Sequence, residues 1–169
     1  MDSLRDMLLA TFLISAVLWD LAERRIPNLL VAVFAVAGLV TAAVADGGNG
    51  ALRAVAGLAT GLGLLFLPFA SGFVGGGDAK FFAAVGAFLG PSLVFRAFLF
   101  GTALGMPLAL FALCRARGGL APLSGFLASA GVPTRVDPEA RPVSIPYAVP
   151  LALGAFLALA LERAGATPF

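Results

Sequence analysis

Asp78 stands behind three glycines, Gly75, Gly76 and Gly77, and ahead of Ala79 and Lys80, in a chain dominated by long apolar runs. Three successive glycines give a backbone that can take positive φ and can be approached closely by another chain. That suits a loop in contact with substrate, and it equally suits a turn between two helices with Asp78 capping the second. A second carboxylate, Asp20, closes the first hydrophobic run. Two carboxylates held together in a poorly solvated site do not both ionise readily and tend to share one proton. One can then activate water while the other protonates a carbonyl, which is general acid–base hydrolysis of a peptide bond without a covalent intermediate. The chain has no histidine, and Cys114 is its single cysteine. Histidine catalysis, a cysteine-rich zinc site and an intramolecular disulfide are therefore excluded, and no metal or cofactor is expected.

The neighbours of the two aspartates have both structural and chemical readings. Glu23, Arg24 and Arg25 follow Asp20 and suit a solvated, orientation-setting cluster at a membrane edge. Arg24, four residues beyond Asp20, could also pair with it along a helix. The positive end of the helix that Asp78 begins favours charge on Asp78, and the negative end of the helix carrying Asp20 favours its protonated form. Lys80 reads as a charge of the cytoplasmic face rather than as a ligand for a substrate carboxylate, and it could also tune Asp78. Ile26, Pro27 and Asn28 form a tight turn into the next helix, with Asn28 placed to hydrogen-bond within it. Pro146 and Pro150 near the start of the last apolar run suggest a kink, and Pro146 with Tyr147 is a candidate lining of the same pocket.

The elements that must position these groups are membrane helices. With 60% hydrophobic and 12% charged residues in 169 and a mean hydropathy of +1.02, the chain is too apolar for a soluble domain and has room for one compact unit, residues 1–169. Mixed signs at Asp2, Arg5 and Asp6 do not fit a cleaved signal, and a net charge of +2 scattered along the chain gives no basis for nucleic-acid binding. Stretches free of charge run over Met7–Trp19, Ile26–Ala45, Ala54–Gly77, Phe81–Phe95, Ala97–Cys114 and Pro142–Leu161. With about 20 residues needed to cross the hydrocarbon core, the expected fold is an all-α polytopic membrane protein of six transmembrane helices. The first helix borrows residues to reach from about Leu4 to Glu23, and Gly90-Pro91 turns the fourth into the fifth. Ala116 to Thr134, broken by glycines and prolines, is expected as a surface loop. Seven basic residues (Arg24, Arg25, Lys80, Arg115, Arg117, Arg135, Arg141) fall on one side and four (Arg5, Arg53, Arg96, Arg163) on the other. The larger group marks the cytoplasmic side, so both termini lie outside. Asp20 and Asp78 then share the cytoplasmic face.

Three blocks carry a family resemblance: Asp20 with Arg25-Ile26-Pro27-Asn28; Gly75-Gly76-Gly77-Asp78-Ala79-Lys80 running into residues 81–90; and Ile145-Pro146-Tyr147-Ala148-Val149-Pro150. Together, in this order, they resemble the type IV prepilin peptidases, which belong to the GxGD intramembrane aspartyl proteases. The resemblance covers nearly the whole chain. It implies a multi-pass aspartic endopeptidase of the inner (plasma) membrane with Asp20 and Asp78 as its catalytic pair. Its partners would be prepilin or pseudopilin precursors, cut at the cytoplasmic membrane face to release a short basic leader. The chain has no room for the N-terminal methyltransferase domain of the larger members, and so resembles the short forms that serve Flp or tight-adherence pili. Ala148 and Pro150 depart from the pattern of the third block.

Two other classes fit part of the sequence. A non-catalytic transporter or channel subunit would use intramembrane carboxylates to bind cations or relay protons. No carboxylate lies clearly at mid-membrane, however, and no inverted repeat is visible. An inactive scaffold that only holds pilin precursors is the other.

Overall fold

The computed structural model describes residues 2–70, 74–115 and 147–166, with backbone alone for residues 2 and 108–115. The described residues form four helices: α1 (Asp2–Glu23), α2 (Asn28–Ala70), α3 (Gly76–Arg115) and α4 (Ala148–Arg163). Two of these are hairpins. Helical geometry breaks in α2 at Asp46 and Gly47, where Gly47 has φ 60°, and in α3 at Gly90, where φ is 77°. Both positive values suit glycine, which has no Cβ to clash, and Pro91 begins the next helix where its missing N–H costs nothing. The chain reverses at both points. Gly50 returns against the backbone of Ala42, and the rings of Phe82 and Phe98 lie 6.3 Å apart across the Gly90 turn.

Counting each arm of a hairpin separately, the described residues give six helical segments: α1, 28–45, 48–70, 76–89, 91–115 and α4. These follow the six apolar stretches with shifted ends. The third segment starts at 48 rather than 54, because Arg53 does not end it. Its guanidinium folds back onto Asp46, 2.7 Å away, at the hairpin tip. The fourth starts at Gly76 rather than at Asp78. The last runs over Ala148–Arg163 rather than 142–161; residues 142–146 and the expected 116–134 loop lie outside the described residues.

Segment 76–89 is the centre of the bundle, with residues 81–90 buried all round. Small residues let its neighbour approach closely. A Cβ at Gly57 would strike the Gly86 carbonyl, one at Gly61 the Phe82 carbonyl, and one at Gly86 the Gly57 carbonyl. Segment 48–70 therefore packs antiparallel on it, backbone against backbone, in the manner of small-residue seams between membrane helices. Segment 91–115 meets α4 in the same way, where Gly154 abuts the backbone of Ala97 and Gly101. α1 attaches through side chains. Leu9, Phe12, Leu13, Ala16 and Asp20 are its buried positions, a helical stripe, and Phe12 stacks on Phe34 at 4.8 Å and meets Phe81 at 5.2 Å.

The outer surface is that of a protein dissolved in lipid. Leu18, Leu29, Val44, Leu52, Leu67 and Phe156 are all more than half exposed, far more apolar surface than water tolerates around one small bundle. Thr11, Ser15, Thr41 and Thr60 turn their hydroxyls back to carbonyls one turn earlier at 2.7–2.8 Å, so none of these four hydroxyl protons is left without an acceptor. α2 and residues 76–107 of α3 are long and apolar enough to cross a membrane.

Candidate active site

The alternation of the segments sorts the charged residues to two ends. At one end stand ion pairs Arg53–Asp46 (2.7 Å), Arg96–Glu162 (2.8 Å) and Arg163–Asp6 (2.9 Å). These three arginines, with Arg5, are the ones that the sequence assigns to the less basic side. The other end holds the C-terminus of α1, the start of α2, the start of α3 and the start of α4, and there Asp20 and Asp78 meet.

Asp20 is only 7% exposed, the one buried charged residue among those described. It continues the inward stripe of α1 by one turn beyond Ala16, which is why the helix turns it inward. The Ala148 backbone N–H at the start of α4 donates to its carboxylate. Its Oδ2 is buried without a hydrogen-bond partner, the only side-chain polar atom so placed among the described residues. Such an atom costs roughly 1–3 kcal/mol, more if charged. Beyond Asp20 the helix closes with Arg24 in the left-handed region at φ 52°, its N–H donating to the Asp20 carbonyl at 2.8 Å. This helix ending usually takes glycine. Glu23, Arg24 and Arg25 are exposed, as expected of a solvated cluster, and the Arg24 charge reaches Asp20.

Asp78 lies in the first turn of α3. Gly75 is the capping residue: its carbonyl accepts the N–H groups of Asp78 (3.1 Å) and Ala79 (3.3 Å), while the Asp78 carboxylate accepts the Gly75 N–H. This is the acidic half of a capping box, with glycine where serine or threonine would stand. None of the three glycines has positive φ, so the loop freedom read from them is not used. What they supply is room. A Cβ on Gly75 would lie 3.3 Å from Asp78 Oδ2, and one on Gly76 would lie 3.1 Å from the Phe69 ring; Gly77 faces Ile26 at an ordinary 3.8 Å.

The two carboxylates are electrostatic neighbours, Asp20 being the charge that acts on Asp78, and Asp78 in turn acts on the Tyr147 phenol. Tyr147 caps α4 and is half-buried, beside Gly105. Pro146 lies outside the described residues. Pro27 serves as the cap of α2, its carbonyl accepting the Val31 N–H at 3.2 Å. Asn28 does not bond within its own turn. Its Oδ1 accepts from Lys80 Nζ at 3.2 Å, tying the start of α2 to the start of α3. Among the described residues no group of three or more Asp, Glu or Cys side chains gathers here; the polar groups at this end include two carboxylates, a phenol and helix N-termini.

With that geometry in view, the comparison with known families is decisive: a model described as the type IV leader peptidase family matches residues 7–110. The chain belongs to the type IV leader peptidase family. The matched region contains both aspartates, the Pro27-Asn28 turn and the glycine run of this peptidase, and leaves α4 with Tyr147 outside. No curated protein and no solved structure matches the chain.

Sequence reasoning missed the Ala148 N–H. It placed Asp20 at the negative end of α1 and omitted the positive end of α4 that also reaches it. Both carboxylates receive a backbone donor from a helix start, so helix dipoles alone do not distinguish them. The signal available was Pro146-Tyr147, which marks a helix beginning next to the pocket.

Proposed function

We propose that this peptidase is an intramembrane aspartic endopeptidase of the inner membrane, with Asp20 and Asp78 as its catalytic pair. It cuts the leader from prepilin-like precursors of the Flp or tight-adherence kind at the cytoplasmic face. The observation that carries the reading is the meeting of these two carboxylates at one end of a bundle with an apolar core, one of them with a buried oxygen left without a partner. The basic residues around this end, Arg24, Arg25 and Lys80 among them, favour its being cytoplasmic. All six helical segments would cross the bilayer, with both termini on the opposite side.

In the reaction, the ionised carboxylate removes a proton from a water molecule, which attacks the scissile carbonyl carbon. The protonated carboxyl gives its proton to the carbonyl oxygen. Collapse of the resulting tetrahedral diol breaks the C–N bond, and the amine nitrogen leaves with a proton from the pair. Products are the leader's carboxylate and the free N-terminus of the mature subunit. Tyr147, which feels the Asp78 charge, would hydrogen-bond the diol, and the Lys80–Asn28 hydrogen bond would hold the starts of α2 and α3 together.

The test is co-expression with a precursor of this class, following leader removal by wild type, Asp20→Asn and Asp78→Asn at equal membrane abundance. Loss of processing in both variants is expected. Cleavage at a comparable rate by either variant would remove the paired-carboxylate mechanism.

A further inference from the structure

A second polar site lies at the end of the bundle opposite the aspartates. There a cavity of about 340 Å³ is lined by Arg5, Arg53 and Arg163 together with Asp6, Asp46 and Glu162, within the size range of small-molecule sites. Next to it, between α1 and α4, runs an almost wholly apolar cavity of about 280 Å³, lined by Met7, Ala10, Leu13 and Phe156. The two share Asp6, Leu9 and Leu159, so a charged chamber adjoins an apolar groove.

From this pairing we infer a binding site for a phospholipid whose headgroup carries both a phosphate and a primary ammonium. Guanidinium forks match phosphate oxygens two at a time, and carboxylates accept from an ammonium N–H. The three carboxylates that share the chamber with the arginines suit a headgroup that carries an ammonium as well as a phosphate better than one that carries a phosphate alone. A quaternary ammonium has no N–H to donate to the three acids. The groove between α1 and α4 takes an acyl chain. The ion pairs at the chamber, Arg53–Asp46 and Arg163–Asp6, are between about a third and a half exposed, and pairs of that kind are individually weak. Exchanging their partners for phosphate and ammonium therefore meets little resistance. A precursor's transmembrane helix would fill the groove but leave the charged chamber unmatched. The inference does not depend on the catalytic reading, since it concerns the other end of the molecule.

The test is native mass spectrometry of the full-length protein, released from membranes and offered phosphatidylethanolamine, phosphatidylcholine or phosphatidylglycerol with the same acyl chains. Phosphatidylethanolamine is expected to be retained about tenfold more tightly than the other two. The double change Asp46→Asn with Arg53→Gln removes that preference, and Ala10→Trp, which fills the groove, weakens all three. Melting temperatures verify folding; should the double variant be unfolded, the wild-type preference and Ala10→Trp decide. Equal retention of the three lipids, or no effect of Ala10→Trp, would overturn the inference. So would a photo-crosslinker at Met7 that captures a co-expressed precursor instead of lipid.

Discussion

The glycine run before Asp78 allows a graded test, because its three members face different neighbours at known distances. Gly75→Ala sets a methyl group 3.3 Å from Asp78 Oδ2, so the carboxylate must move by a few tenths of an ångström. If a 1 Å misplacement of a reacting group costs about 10²-fold, a third of that costs about 5-fold, or roughly 1 kcal/mol in the barrier. Alanine is also a poor helix cap, which adds about 1 kcal/mol of local destabilisation. Gly77→Ala meets Ile26 at 3.8 Å and needs no adjustment, so its rate should stay within about 2-fold. Gly76→Ala must displace the Phe69 ring, 3.1 Å away; a half-exposed ring can turn, so its effect falls between the other two. The assay is the initial rate of leader removal from a saturating synthetic precursor in detergent or bilayer discs, with melting temperature as the folding check. A Gly77→Ala defect larger than that of Gly75→Ala would refute the reasoning. So would a wild-type rate for Gly75→Ala.

Other outcomes follow from features away from the carboxylates. Gly57→Val forces a branched side chain into the Gly86 carbonyl and should cost about 3 kcal/mol or more, above the usual range for overpacking because backbone cannot yield; Gly63→Val, facing open space, should melt like wild type. Removing the Lys80–Asn28 hydrogen bond by Lys80→Met and Asn28→Ala should give a coupling energy near 0.5–1 kcal/mol in a double-mutant cycle on melting, as befits an exposed bond; zero coupling would mean that the bond does not hold the helix starts together. With Cys114 replaced by alanine, a membrane-impermeant maleimide should label Gly48→Cys from outside intact cells and Arg25→Cys only after permeabilisation. The reverse pattern would invert the topology.

The sequence announced much of this fold because membrane helices are long and apolar and their interruptions are chemically conspicuous. Gly90-Pro91 marked one reversal correctly. Asp46-Gly47 marked the other less clearly, since Arg53 looked like the edge of a helix while its partner seven residues earlier was not considered. Asp20 and Asp78 were legible as carboxylates out of place, and the two crossings inferred between the end of the first helix and the start of the fourth set them on one face. What spacing could not reveal was contact. That Asn28 bonds to Lys80, that Ala148 lends its N–H to Asp20, and that the glycines before Asp78 serve close approach rather than unusual φ all depend on how helices distant in sequence lie against each other. The 116–134 loop and Pro146 fall outside the described residues.

The seam between segments 48–70 and 76–89 is made of backbone atoms, and backbone atoms have no rotamers. Two surfaces joined through side chains can slip by exchanging one set of rotamers for another; this one can only separate. The two segments therefore act as a single rigid strut, with Asp78 fixed at its tip as on an anvil. α1, held through side chains such as the Phe12 ring against Phe34 and Phe81, is the element with freedom to adjust, and changes in the spacing of the two carboxylates fall to the hammer that carries Asp20.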